Sequence, residues 1–87
     1  MTSTDRIFLT SLLGQIRTRV PFDVSGDFEG GELTIGNFPQ VTEEEAWVLQ
    51  GLMEEAYKYC TRCGVAPRAI RFRDSAGHQL VEVVFAG

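Results

Sequence analysis

An apolar stripe at Leu9, Leu12, Leu13, Ile16 and Val20 recurs forty positions later at Leu49, Leu52, Met53, Ala56 and Cys60. Steps of three and four residues put each set along one side of an α-helix. Ser3 or Thr4 is expected to cap the first helix, which runs to about Arg19. Val20 stands before Pro21, and a residue before proline is driven to extended backbone. In the second helix, Thr42 and Glu45 have capping-box spacing, and Val41 is placed to staple onto Ala46. Glu43, Glu44 and Glu45 suit the positive end of the helix dipole. The helix is predicted to run to about Cys63 and stop at Gly64, with Pro67 reinforcing the break.

After each helix the period drops to two. Phe22, Val24, Gly26 and Phe28 alternate with Asp23, Ser25, Asp27 and Glu29. Gly30 and Gly31 can take the positive φ of a two-residue turn. That turn pairs Phe28 with Leu33 and Gly26 with Ile35, and sets Glu29 opposite Glu32. In the second hairpin Ile70 and Phe72 alternate with Arg71 and Arg73, and Asp74 to Gly77 form the turn. Val81, Val83 and Phe85 share the face of Ile70 and Phe72. Phe38, Leu80, Glu82 and Val84 count to the opposite face.

The expected fold is α+β: an α-β-β-α-β-β two-layer sandwich, with a four-stranded antiparallel sheet and two helices on one face. The chain reads as a single domain, residues 1–87, in which 3–38 and 42–86 form a helix–hairpin pseudo-repeat. Beyond the stripes and prolines few residues match, so the likeness is one of layout. Strand order stays open. If the strand carrying Asp23, Asp27 and Glu29 adjoins the one carrying Arg71 and Arg73, opposite charges pair and the order is 2-1-3-4. If not, the outer face carries one acidic and one basic stripe.

Charge sharpens this picture. The net charge is −4 over 87 residues, but residues 1–20 carry +2, residues 21–60 carry −8 and residues 61–87 carry +2. An acidic chain is poorly suited to nucleic acid, whose affinity rests on Lys and Arg against phosphate. No apolar run reaches the roughly 18 residues of a membrane span, and the first residues do not read as a secretory signal. The expected setting is cytoplasmic, with neither nucleic acid nor membrane as partner. At 44% hydrophobic residues the chain has the composition of a folded domain. A chain this short has a small core, so a partner subunit or a staple would help it.

Candidate chemistry is sparse. Cys60 and Cys63 form a C-x-x-C pair, which can be half of a zinc site or a redox couple. Zinc needs two more ligands, and His78 is the one histidine. A redox pair gains from a helix N-terminus, whereas these thiols fall at a C-terminus. Both lie within about 40° of the apolar stripe at 100° per residue, so packing explains them. Asp74, Ser75 and His78 sit in one turn, which is turn chemistry before it is triad geometry. No cofactor is expected.

Trp47 stands out. It falls about 160° from the stripe of its own helix, on the side of Gly51 and Glu54. A tryptophan there is either a contact anchor or a lid laid over its own domain. Phe38, Leu80 and Val84, with Arg71 and Arg73, add an outer sheet face suited to association. The residues carry no family signature. The expected function is a small non-enzymatic protein–protein interaction or regulatory module, a homodimer or assembly subunit. Two alternatives remain: an acidic inhibitor of phage or immunity type that blocks a basic nucleic-acid-binding surface, and a zinc-linked dimer through the C-x-x-C pair.

Overall fold

Helix formation begins one residue earlier than the cap expected at Ser3 or Thr4. In the computed structural model, which describes residues 2–40 and 42–85, Thr2 is the N-cap and its hydroxyl accepts the Asp5 amide at 3.1 Å. Helix α1 spans Ser3–Arg17 and buries Phe8, Leu9, Leu12, Leu13 and Ile16. It ends two residues short of Arg19. Arg17 then ties the helix to the next strand, donating to the Asp23 carboxylate at 2.6 Å and to the Val24 carbonyl at 2.8 Å.

Strands β1 (Ser25–Glu29) and β2 (Glu32–Phe38) pair antiparallel in the predicted register, with Phe28 opposite Leu33, Gly26 opposite Ile35 and Glu29 opposite Glu32. Gly30 and Gly31 both have positive φ (59° and 79°), as a tight hairpin turn of this hand requires.

The second helix opens differently from its capping-box expectation. A short 3₁₀ turn, Glu43–Glu45, precedes helix α2 at Ala46–Arg62. The Thr42 hydroxyl donates to the Glu45 carboxylate at 3.0 Å rather than accepting a backbone amide. The Val41 staple lies outside the described residues. The far end agrees closely with the sequence: Gly64 has φ +72°, the Gly64 amide meets the Thr61 carbonyl at 3.1 Å, and the Val65 amide meets the Cys60 carbonyl at 2.8 Å. This pair of bonds is a Schellman motif.

Strands β3 (Ala69–Asp74) and β4 (Gln79–Val84) form the second hairpin. The four strands make one sheet in the order β1-β2-β3-β4. The purely antiparallel sheet is corrected here: β2 and β3 run parallel. The reason is the connection. α2 carries the chain back to the end where β2 began, so β3 sets off in the same direction, and parallel neighbours need such a crossover. The order 2-1-3-4 is likewise overturned, because β2 separates the acids of β1 from Arg71.

The buried stripes of both helices and the inward residues of the sheet form one core, with Leu33, Ile35, Ile70 and Phe72 fully buried at its centre. Two bulges alter what simple alternation predicts. Asn37 has φ +75°, and the β2–β3 register shifts between Ile35 and Phe38. Phe38 therefore turns inward, buried against Phe22 and Phe72. A second shift lies between Phe72 and Arg73, with Leu80 as the extra residue. Leu80 is half-buried against the core instead of pointing outward.

Candidate functional site

The outer face of α2 is available because its inner face already meets the helix's apolar need. Leu49, Leu52, Met53, Ala56 and Cys60 are all buried. Trp47, on the other side, is 73% exposed, so it does not lie down over its own domain. Gly51, one turn on, and Glu54, two turns on, are also exposed. A side chain at Gly51 would meet nothing within 4 Å, which leaves flat helix backbone beside the indole. Val48 is exposed next to Trp47 and lines an apolar groove of about 280 Å³ with Val20, Pro21, Phe22 and Pro39. On α1, Ile7 is 72% exposed and lines a shallow depression with Arg6 and Thr10.

The outer face of the sheet is organised by ion pairs. Across the strands Asp27, Thr34, Arg71 and Glu82 stand in one row. Arg71 donates to the Glu32 carboxylate at 2.6 Å and to that of Glu82. The hydrogen bond and charge of Arg71 hold the Glu32 carboxyl below its ordinary value, and the two carboxylates push the Arg71 pKa upward. Of the expected basic stripe, Arg71 is thus neutralised within the sheet. Arg73 remains exposed, at the rim of a depression of about 310 Å³ floored by Ser25, Thr34 and Gly36. Val84, 67% exposed, points outward as expected.

The cysteines separate. Cys60 is fully buried, and burial, with a contribution from nearby Cys63, pushes its thiol up to about 11. Cys63 is exposed, contrary to the wheel that put both on the stripe. The helix ends at Arg62 and Cys63 is its C-cap with ψ near 0°, so helical extrapolation no longer applies there. His78 sits at the far hairpin turn, 3.4 Å from Asp74. Among the described residues no three His, Cys, Asp or Glu side chains gather where a metal ion could be held.

The Asp74-Ser75-His78 turn is engaged in its own construction. Asp74 accepts the Ala76 and His78 amides at 3.0 and 2.8 Å. The backbone bond from His78 is the main cause lowering the Asp74 pKa. Of the helix acids, Glu45 accepts from Thr42 and Glu55 pairs with Arg19 at 3.3 Å.

Sequence reasoning passed over Tyr57. It is 46% exposed yet stacks on Phe85 with ring centroids 5.0 Å apart. Its position on the flank of the α2 stripe was a faint signal, since a flank residue meets whatever strand the sheet order puts beneath it. Among the described residues no helix is long and apolar enough to cross a membrane. No family model, curated protein or solved structure matches the chain, so the functional reading rests on this geometry.

Proposed function

We propose that this protein is a small non-enzymatic interaction or regulatory module that works by presenting surface, as a homodimer or a subunit of a larger assembly. In this reading it is a cytoplasmic, two-layer domain with both helices over one face of the sheet. The observation that carries it is Trp47, 73% exposed on a helix whose apolar stripe is already buried. Exposing a large aromatic ring to water is unfavourable by roughly 25 cal/mol per Å² of apolar area. Trp is also enriched where binding energy concentrates. Arg17, Arg71, Glu32, Glu82 and Asp74 are spent on pairs that hold strands and turns together. Iodide quenching of the single tryptophan tests the anchor. Trp47 should be fully accessible in dilute protein and become shielded when partner binds. Trp47→Ala should leave the thermal midpoint almost unchanged and remove that binding. Unchanged capture of the native partner by Trp47→Ala sinks the anchor.

The acidic-inhibitor reading keeps one supporting observation. Glu54 is exposed on the same helix as Trp47, and Glu43 and Glu44 are exposed in the 3₁₀ turn that leads into it. Asp23, Glu32 and Glu55 are matched by arginines of the chain itself, which reduces the acidic surface that the composition suggested. Binding to a basic partner that survives high salt counts against it. The zinc-linked dimer is less favoured, because one of its two thiols is buried with a raised pKa.

A further inference from the structure

The β4 edge of the sheet has a hydrogen-bonding pattern that selects a partner. β4 is the last strand in the sheet order, so one side of it is paired with β3 and the other is an edge. The Phe85 amide donates to the Arg68 carbonyl at 2.9 Å, and Val83 and Val81 stand opposite Ile70 and Phe72. In an antiparallel pair the main-chain groups alternate in direction. Those of Val81, Val83 and Phe85 therefore point at β3, and those of Glu82 and Val84 point at the open edge.

We propose that this edge pairs with the same edge of a second copy, antiparallel about a twofold axis at Val83. The two sheets then become one of eight strands. Three features argue for a second copy. In this register the outward groups of Glu82 bond those of Val84 in the partner, and the inward side chains meet as Val83 on Val83 and Val81 on Phe85. Such apolar and aromatic cross-strand pairs are stabilising. Of the two neighbouring symmetric registers, the one centred on Glu82 sets it against its own copy, a repulsive pair, and the one centred on Val84 leaves Glu82 beyond the end of the partner's β4, so the Val83 register keeps most pairing within the strand. Tyr57, half-exposed and stacked on Phe85, lies at the same edge and would extend the contact from the helix side.

Edge strands open to such pairing are usually blunted by charge, proline, a bulge or short length. The opposite edge obeys that rule, since β1 is Ser-Gly-Asp-Phe-Glu. β4 reads Gln-Leu-Val-Glu-Val-Val, its single charge is paired with Arg71, and its bulge at Leu80 lies before the Glu82 and Val84 groups that face the edge. The edge open to pairing is therefore β4.

The inference rests on the self-association part of the proposed function, and sedimentation velocity on the full chain over a concentration series separates the two. Val84→Glu faces Glu82 of the partner twice per dimer, so dimerisation should weaken roughly tenfold. Val84→Lys faces the same carboxylates and should dimerise as well as the native chain or better. Val84→Pro removes an outward amide without touching a β3 bond and should be monomeric. Circular dichroism and the thermal midpoint check that each variant is folded. A dimer equally strong in Val84→Glu and Val84→Lys overturns the edge and leaves self-association by another surface standing. A native chain monomeric at every concentration overturns both.

Discussion

Phe38 stacks on Phe72 with ring centroids 4.9 Å apart and planes 22° apart, although alternation from Ile35 counts it to the other face. The left-handed backbone at Asn37 makes the difference. Asparagine tolerates that conformation, and its side-chain amide donates to the Asp23 carbonyl at 2.8 Å. Phe38→Ala should cost about 3–5 kcal/mol, a large part of the roughly 5–15 kcal/mol that holds a small domain folded. Asn37→Gly should be mild, since the lost bond is offset by a relaxed backbone. Asn37→Val should be markedly worse, because a β-branched residue is strained at positive φ. Urea unfolding midpoints of the three variants check the order.

Acid should weaken the fold through Glu32 and Asp74. Both carboxyls titrate below their ordinary values, Glu32 because Arg71 bonds it and Asp74 because the His78 amide does. A group whose folded pKa is lowered contributes stability that is present above its unfolded value, about 4–4.5 here. That stability is lost as pH falls through the folded value. Urea midpoints between neutral pH and the acid range should therefore drop. Glu32→Gln should flatten the drop, and Asp74→Asn should do so while keeping an acceptor for the turn. A slope unchanged in both variants contradicts the assignment.

The two thiols should behave as different species. In native protein a disulfide reagent should modify Cys63 alone, and Cys60 should react only after unfolding. Cys63→Ser should abolish the native reaction. At alkaline pH, Cys60 ionises near 9 in the unfolded chain but near 11 in the fold, so the unfolded state sheds its proton first. Stability should fall as pH rises across that interval, and Cys60→Ala should reduce the fall.

Local rules alone placed much of this protein. The helical stripes, the Gly64 stop and the Gly30-Gly31 hairpin register are decided by neighbours in sequence, where periodicity and backbone sterics dominate. The same rules picked out Trp47, since the side opposite a buried stripe is set by the period. They failed where one residue changes the phase. A bulge changes the phase of alternation: Phe38 lies beyond the one at Asn37 and Leu80 is the extra residue of the other, and both were misplaced for that reason. Cys63 was misplaced because the helix ended before it.

Other features required the whole fold. The parallel β2–β3 pair, the placement of Arg71 between Glu32 and Glu82, and the Tyr57–Phe85 stack join residues 11 to 39 positions apart. Which of them meet depends on where α2 returns the chain. The sequence by itself determined the elements, their order and the stripes that become the core. Tertiary structure decided which strands are neighbours, and so which charges cancel and which strands form the edges, because strand pairing is chosen by the packing of the whole core and not by any local pattern.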